Sequence, residues 1–209
     1  LEVYTREEHP TNWAMAQNNK GIALQEQGRR TEGMEAAALL EDAVAAYDAA
    51  LEVWTLEEHP TYLASTLNNK SGALHEQGIR TDGAAGTALL ARAVAACDAA
   101  LEVRTREEYP VDWAGTQNNK GAALQEQGTR TEGAEGAALL AQAVEAFDGA
   151  LEVYLGADEL MQWGATQSNK GMALTHQGAR TRGLKGAELL ARAVAACDAA
   201  LEVRTREDH

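Results

Sequence analysis

Four columns of polar residues in this chain have the type and spacing to do chemistry. The segment NNKGIAL sets Asn18, Asn19 and Lys20 side by side, and it returns as NNKSGAL (Asn68, Asn69, Lys70), NNKGAAL (Asn118, Asn119, Lys120) and SNKGMAL (Ser168, Asn169, Lys170). Each lysine falls on the apolar stripe of what reads as an amphipathic helix, so its charge must be paired, exposed or functional. The asparagine beside it both donates and accepts hydrogen bonds, which suits either an extended ligand backbone or an internal tie. Arg30, Arg80, Arg130 and Arg180 form the third column. An arginine just past a helix end satisfies its last carbonyls, or presents a ridge to an acidic partner. Asp48, Asp98, Asp148 and Asp198 form the fourth.

Catalytic chemistry is not expected of these columns. An active site needs one asymmetric constellation, and no nucleophile–base pair, glycine-rich phosphate loop or carboxylate dyad stands above the repeated pattern. His9, His59, His75, His176 and His209 do not cluster, and no Cys/His ligand spacing occurs, so neither a metal nor a cofactor is expected. The net charge of −14 argues against nucleic acid, which requires basic patches, and favours neutral or basic protein partners. No run of eighteen apolar residues is present, so no membrane span is expected. No signal peptide is expected within the sequence, and its start at Leu1 in place of Met leaves room for a leader already removed. Cys97 and Cys197 share one slot with Tyr47 and Phe147, a core position, which predicts inert buried thiols in a reducing, cytoplasmic setting.

The elements that position these columns follow from the period. Copies span 1–50, 51–100, 101–150 and 151–200, followed by 201–209, and nineteen of fifty columns are identical in all four without a gap. Repetition at this level marks an all-α solenoid whose units bury their faces against one another. In the first copy, HPTNWAMAQNNKGIALQEQG reads as a first helix, with Gly28, Gly78, Gly128 and Gly178 as left-handed C-terminal residues. Thr31, Thr81, Thr131 and Thr181 read as N-caps of the second helix, roughly 34–57 in the first copy. On that helix Leu40, Val44, Tyr47, Leu51 and Trp54 step by four and three residues along one face. Trp13, Trp113 and Trp163, with Leu63 in the second copy, sit at core spacing from the first-helix leucines. Gln25, His75, Gln125 and Thr175 vary, as a selectivity position or a solvated face would. Residues 1–9 read as the tail of a second helix and 201–209 as the start of a further copy, so the chain reads as a segment of a longer array.

The pattern W–x6–K/L–G–x2–L–x3–G, followed by AVAAYDAALEV and a proline such as Pro60, resembles the tetratricopeptide repeat, with sixteen residues added to the ordinary unit of about 34. It is more similar still to a bacterial subgroup of long repeats, akin to those of kinesin light chain and often beside a caspase-like (CHAT) protease domain. The resemblance spans the chain. It implies a right-handed superhelix that binds protein or peptide in a concave groove, with Asn19, Asn69, Asn119 and Asn169, flanked by Asn18, Asn68 and Asn118, facing the ligand. The lysine column departs from the leucine of that family. By the family's geometry each lysine faces an aspartate of its own hairpin: Lys20 with Asp48, Lys70 with Asp98, Lys120 with Asp148, Lys170 with Asp198. A structural or self-associating segment, as spacer or as sensor array of an effector, is the alternative.

Overall fold

The computed structural model describes residues 4–207, with side-chain surroundings through Val203. All regular structure among them is helical: α1 Pro10–Arg30, α2 Gly33–Leu51, α3 Pro60–Ile79, α4 Gly83–Val103, α5 Pro110–Arg130, α6 Gly133–Gly156, α7 Leu160–Arg180 and α8 Gly183–Glu207. Each copy is therefore a hairpin of two antiparallel helices. The hairpins group into two compact units, one ending at Arg104 and the other beginning at Thr105. In the first, α2 packs on α1 and α3, and α4 packs on α3; in the second, α6 packs on α5 and α7, and α8 on α7.

Turn chemistry sets the helix ends, and it differs from expectation at two places. Gly28, Gly78, Gly128 and Gly178 are buried inside the first helices and do not end them. They are glycine because the second helix crosses there, and a Cβ on Gly28 would lie 3.0 Å from the Leu40 side chain. The left-handed residues are Gly33, Gly83, Gly133 and Gly183, with φ between 65° and 73°, which a side chain would strain. The threonines are not N-caps either. The Oγ1 hydroxyls of Thr31, Thr81, Thr131 and Thr181 donate back to the carbonyls of Gln27, Gln77, Gln127 and Gln177, closing the C-terminal end of the first helix.

The second helix of the first copy also stops short, at Leu51. The backbone N–H groups of Glu8, Glu58 and Glu108 donate to the hydroxyls of Thr5, Thr55 and Thr105, and Pro10, Pro60 and Pro110 open the helix that follows. The fourth copy has Leu155 in place of the threonine and no proline. There α6 runs on to Gly156 before Asp158 turns the chain at φ 60°.

Each hairpin core is built from alanine and leucine with one large slot. Leu40, Ala43, Tyr47 and Ala50 of α2, and Leu140, Ala143, Phe147 and Ala150 of α6, are fully buried. Cys97 occupies the same buried slot, whereas Cys197 is exposed, contrary to the expectation for both thiols, because no helix among the described residues covers α8 on that side. Helix α4 has a mean hydropathy of 1.4 over eighteen residues, enough by length and composition to cross a membrane. The helix is not an unbroken apolar run, since Arg92, Asp98 and Glu102 interrupt it, and its Leu90, Ala93, Cys97 and Ala100 are fully buried in the fold.

Candidate functional site: the joints between hairpins

The polar columns meet where one hairpin packs on the next. Asn18 Oδ1 accepts from Thr66 Oγ1 at 3.2 Å and from Asn69 Nδ2 at 3.3 Å. The second unit repeats the arrangement, with Asn118 Oδ1 accepting from Thr166 Oγ1 and Asn169 Nδ2, both at 3.2 Å. The asparagines of neighbouring copies are thus brought together in line, half-buried, while Asn19 is exposed. The threonines were not singled out in the sequence. Their signal was present: Thr66 and Thr166 stand three residues before an asparagine, on the same helical face.

Lys70 and Lys170 pair across the joint and not within their own hairpins. Lys70 Nζ lies 2.5 Å from Asp48 Oδ1, and Lys170 Nζ lies 2.6 Å from Asp148 Oδ1. The expectation that Asp48 would face Lys20, and Asp148 face Lys120, is therefore corrected, as are the partners assigned to Lys70 and Lys170. The slot opposite the lysine within one hairpin holds the Tyr47 or Phe147 ring, while the aspartate beside the ring points to the following hairpin. Lys20 makes no ion pair among the described residues and is exposed. Both carboxylates are more than two-fifths exposed, which limits each pair to the range of a surface ion pair. A double-mutant cycle on Lys70→Met and Asp48→Asn is expected to give a coupling of about 0.5–1 kcal/mol, and the same cycle on Lys20 and Asp48 none.

The arginines make the strongest joint. Arg80 Nη1 donates to the carbonyls of Gly28 at 2.7 Å and Thr31 at 3.2 Å, and its Nη2 donates to Arg29 O at 3.3 Å. Arg180 repeats this on Gly128, Thr131 and Thr129, at 2.5, 2.9 and 2.5 Å. The carbonyls satisfied are those of the preceding copy's first helix. A planar fork of donors suits several carbonyls that converge at a helix C-terminus, where the dipole also favours a cation.

A fourth set of contacts fits the large slot. Gly21 faces the Tyr47 ring and Gly121 the Phe147 ring, with an added Cβ only 2.6 Å from a ring carbon in each. In the second copy the pair is Ser71 and Cys97, whose Oγ and Sγ lie 2.9 Å apart. Size at one position answers size at the other in these three copies, whereas the fourth sets Gly171 against Cys197, with an added Cβ 2.6 Å from Sγ. The Tyr47 hydroxyl donates to Gln25 Oε1 at 3.0 Å, whereas Gln125 Oε1, facing a phenylalanine slot, is buried without a partner among the described residues. In the variable column Gln25 is thus tied to the core through Tyr47, whereas the exposed Thr175 bonds only its own helix, Oγ1 donating to Gly171 O at 2.8 Å. Phe147→Tyr is expected to recreate the Tyr47–Gln25 bond and stabilise the protein by about 1 kcal/mol in a denaturant titration.

Burial pushes the Tyr47 hydroxyl up to about 12, with Arg29 pulling the other way. Tyr154 is likewise pushed up to about 12 by burial, then by the nearby Glu159 and Asp112 carboxylates. In the unfolded chain these hydroxyls ionise near the ordinary value of about 10. Their contribution to stability is therefore complete below about pH 10 and is lost as pH rises from there to about 12, at about 1.4 kcal/mol per pH unit for each tyrosine. Thermal melts at about pH 9 and pH 11 should show the loss, and Tyr154→Phe should make it shallower.

The tryptophans lie where core spacing put them. Trp13 and Leu63 pack against Ala14, Ala50 and Trp54, and Trp113 and Trp163 against Ala114, Ala150, Val153 and Tyr154. Two of them also carry a cation: Arg6 lies 5.6 Å from the Trp13 ring centre and Arg106 lies 5.5 Å from that of Trp113. Both guanidinium groups are held by a glutamate of the following helix hairpin, Arg6 on Glu52 at 2.5 Å and Arg106 on Glu152 at 2.8 Å. No group of three or more metal-ligating side chains occurs among the described residues. The sequence matches no protein-family model, and neither a curated protein nor a solved structure is found to be similar to it.

Proposed function

We propose that the chain is a non-catalytic, tetratricopeptide-like scaffold that binds a protein or peptide. In this reading the hairpins stack as a right-handed solenoid and the first helices line a concave groove. The observation that carries it is the amide pair at each described joint. Asn18 with Asn69, and Asn118 with Asn169, are half-buried and held in register by their own bonds. Amide donors and acceptors therefore recur from one first helix to the next, which matches what an extended backbone offers. The joints hold these groups rigid before a ligand arrives, which lowers the entropy cost of binding. A net charge of −14 selects neutral or basic ligands.

The test is selection of binding peptides from a displayed random library, followed by titration of one selected peptide and its backbone N-methylated form. The reading expects N-methylation to weaken binding at least tenfold. Equal affinity of the two forms, or selection of no binder, would overturn it.

A second reading, end-to-end self-association, is favoured by the outer face of α8. Val194 and Leu201 are more than half exposed there, while at the equivalent positions Val44, Val144 and Leu151 are buried and Val94, Leu51 and Leu101 half-buried. Light scattering over a concentration series tests it, since stacking raises the mass with concentration and a monomer does not.

A further inference from the structure

The cation-on-tryptophan contact of the first and third copies has no arginine in the fourth. The position of Arg6 and Arg106 is Gly156 there, while Trp163 and the glutamate, now Glu202, remain. In the second copy both partners change together, to Leu56 and Leu63. Only the fourth copy keeps the ring and the carboxylate without the side chain that bridges them. At that place the second unit has a cavity of about 120 Å³, lined by Leu155, Leu160, Trp163, Ala199, Glu202 and Val203. Its size suits one side-chain head group and not a drug-sized molecule.

We propose that this cavity binds an arginine side chain of a partner peptide. Its guanidinium takes the place over Trp163 that Arg6 and Arg106 take over Trp13 and Trp113, and donates to Glu202 as they do to Glu52 and Glu152. Each part of the site matches one part of that side chain. The indole face attracts the planar cation, and the exposed Glu202 carboxylate has about four acceptor positions, so it accepts a new donor while keeping its existing contacts. The exposed Leu155 and Leu160 at the rim cover the methylene stem. The overall acidity of the chain favours approach of a basic segment. The site is separate from the asparagine row and stands whether or not that row binds peptide.

The probe is N-acetyl-arginine amide, titrated into the full chain while the Trp163 indole N–H signal is followed by NMR. Saturable binding in the millimolar range is expected, with Trp163 shifting and Trp13 and Trp113 unmoved. The neutral isostere N-acetyl-citrulline amide should bind at least tenfold more weakly, and Glu202→Gln should weaken arginine binding severalfold. Gly156→Arg should abolish it by filling the cavity from within. That change is tolerated sterically, since nothing lies within 4 Å of a Cβ at Gly156, and an unchanged or higher melting temperature confirms the fold. No saturable shift of Trp163, equal binding of the citrulline probe, or full binding to a folded Gly156→Arg protein would each overturn the proposal.

Discussion

Gly121→Ala is expected to destabilise the protein by about 2 kcal/mol, although alanine is the better helix former. The helix interior would gain about 1 kcal/mol from the exchange. Against this, the new Cβ would lie 2.6, 2.8 and 2.9 Å from three carbons of the fully buried Phe147 ring. A buried ring cannot yield as a flexible chain end would, and overpacking costs about 1–3 kcal/mol or more. Phe147→Cys alone should cost about 3 kcal/mol by opening a cavity. Gly121→Ser combined with Phe147→Cys reproduces the Ser71–Cys97 pair of the second copy. That double variant should lose at least 1 kcal/mol less than the sum of its single changes. Denaturant titration of the four proteins measures this coupling, and simple additivity would show that the two positions do not answer each other.

Arg180→Ala is expected to cost about 3 kcal/mol and to lower the melting temperature by about 10 °C. One side chain supplies three charge-assisted hydrogen bonds to Gly128, Thr129 and Thr131, and its loss strips them from the C-terminus of α5 together with the charge that complements its dipole. Arg180→Lys should recover less than half of the loss, because a single ammonium cannot span three carbonyls with a planar fork. Full rescue by lysine would mean that charge alone matters at this joint.

The repeat, the helical hairpins and the core stripe were legible because they depend on local periodicity. Leu40, Val44 and Tyr47 announce their face by spacing alone, and all three are buried. The helix ends were less legible. Gly28 and Gly33 are both glycines near a predicted end, and only the approach of Leu40 to Gly28 shows which is glycine for space and which for φ. The polar columns were found, but their partners were not. Strict repetition makes a contact within a hairpin and a contact with the neighbouring hairpin look alike in sequence: Asp48 is equally consistent with Lys20 and Lys70. Packing decides, and it pairs Asp48 with Lys70. The exchange of paired sizes was only partly legible in sequence: glycine goes with tyrosine or phenylalanine and serine with cysteine in the first three copies, but glycine with cysteine in the fourth.

The most direct test of the peptide-scaffold account is a map of the asparagine side-chain amides. Two-dimensional ¹⁵N spectra of the full chain would be recorded with and without a selected peptide, with each amide assigned by substitution. The account predicts that the side-chain N–H₂ signals of Asn19, Asn69, Asn119 and Asn169 shift together, in a saturable way, at the affinity measured by titration. Shifts confined to the arginine loops or to the outer face of α8, with all four asparagine signals unmoved, would contradict it.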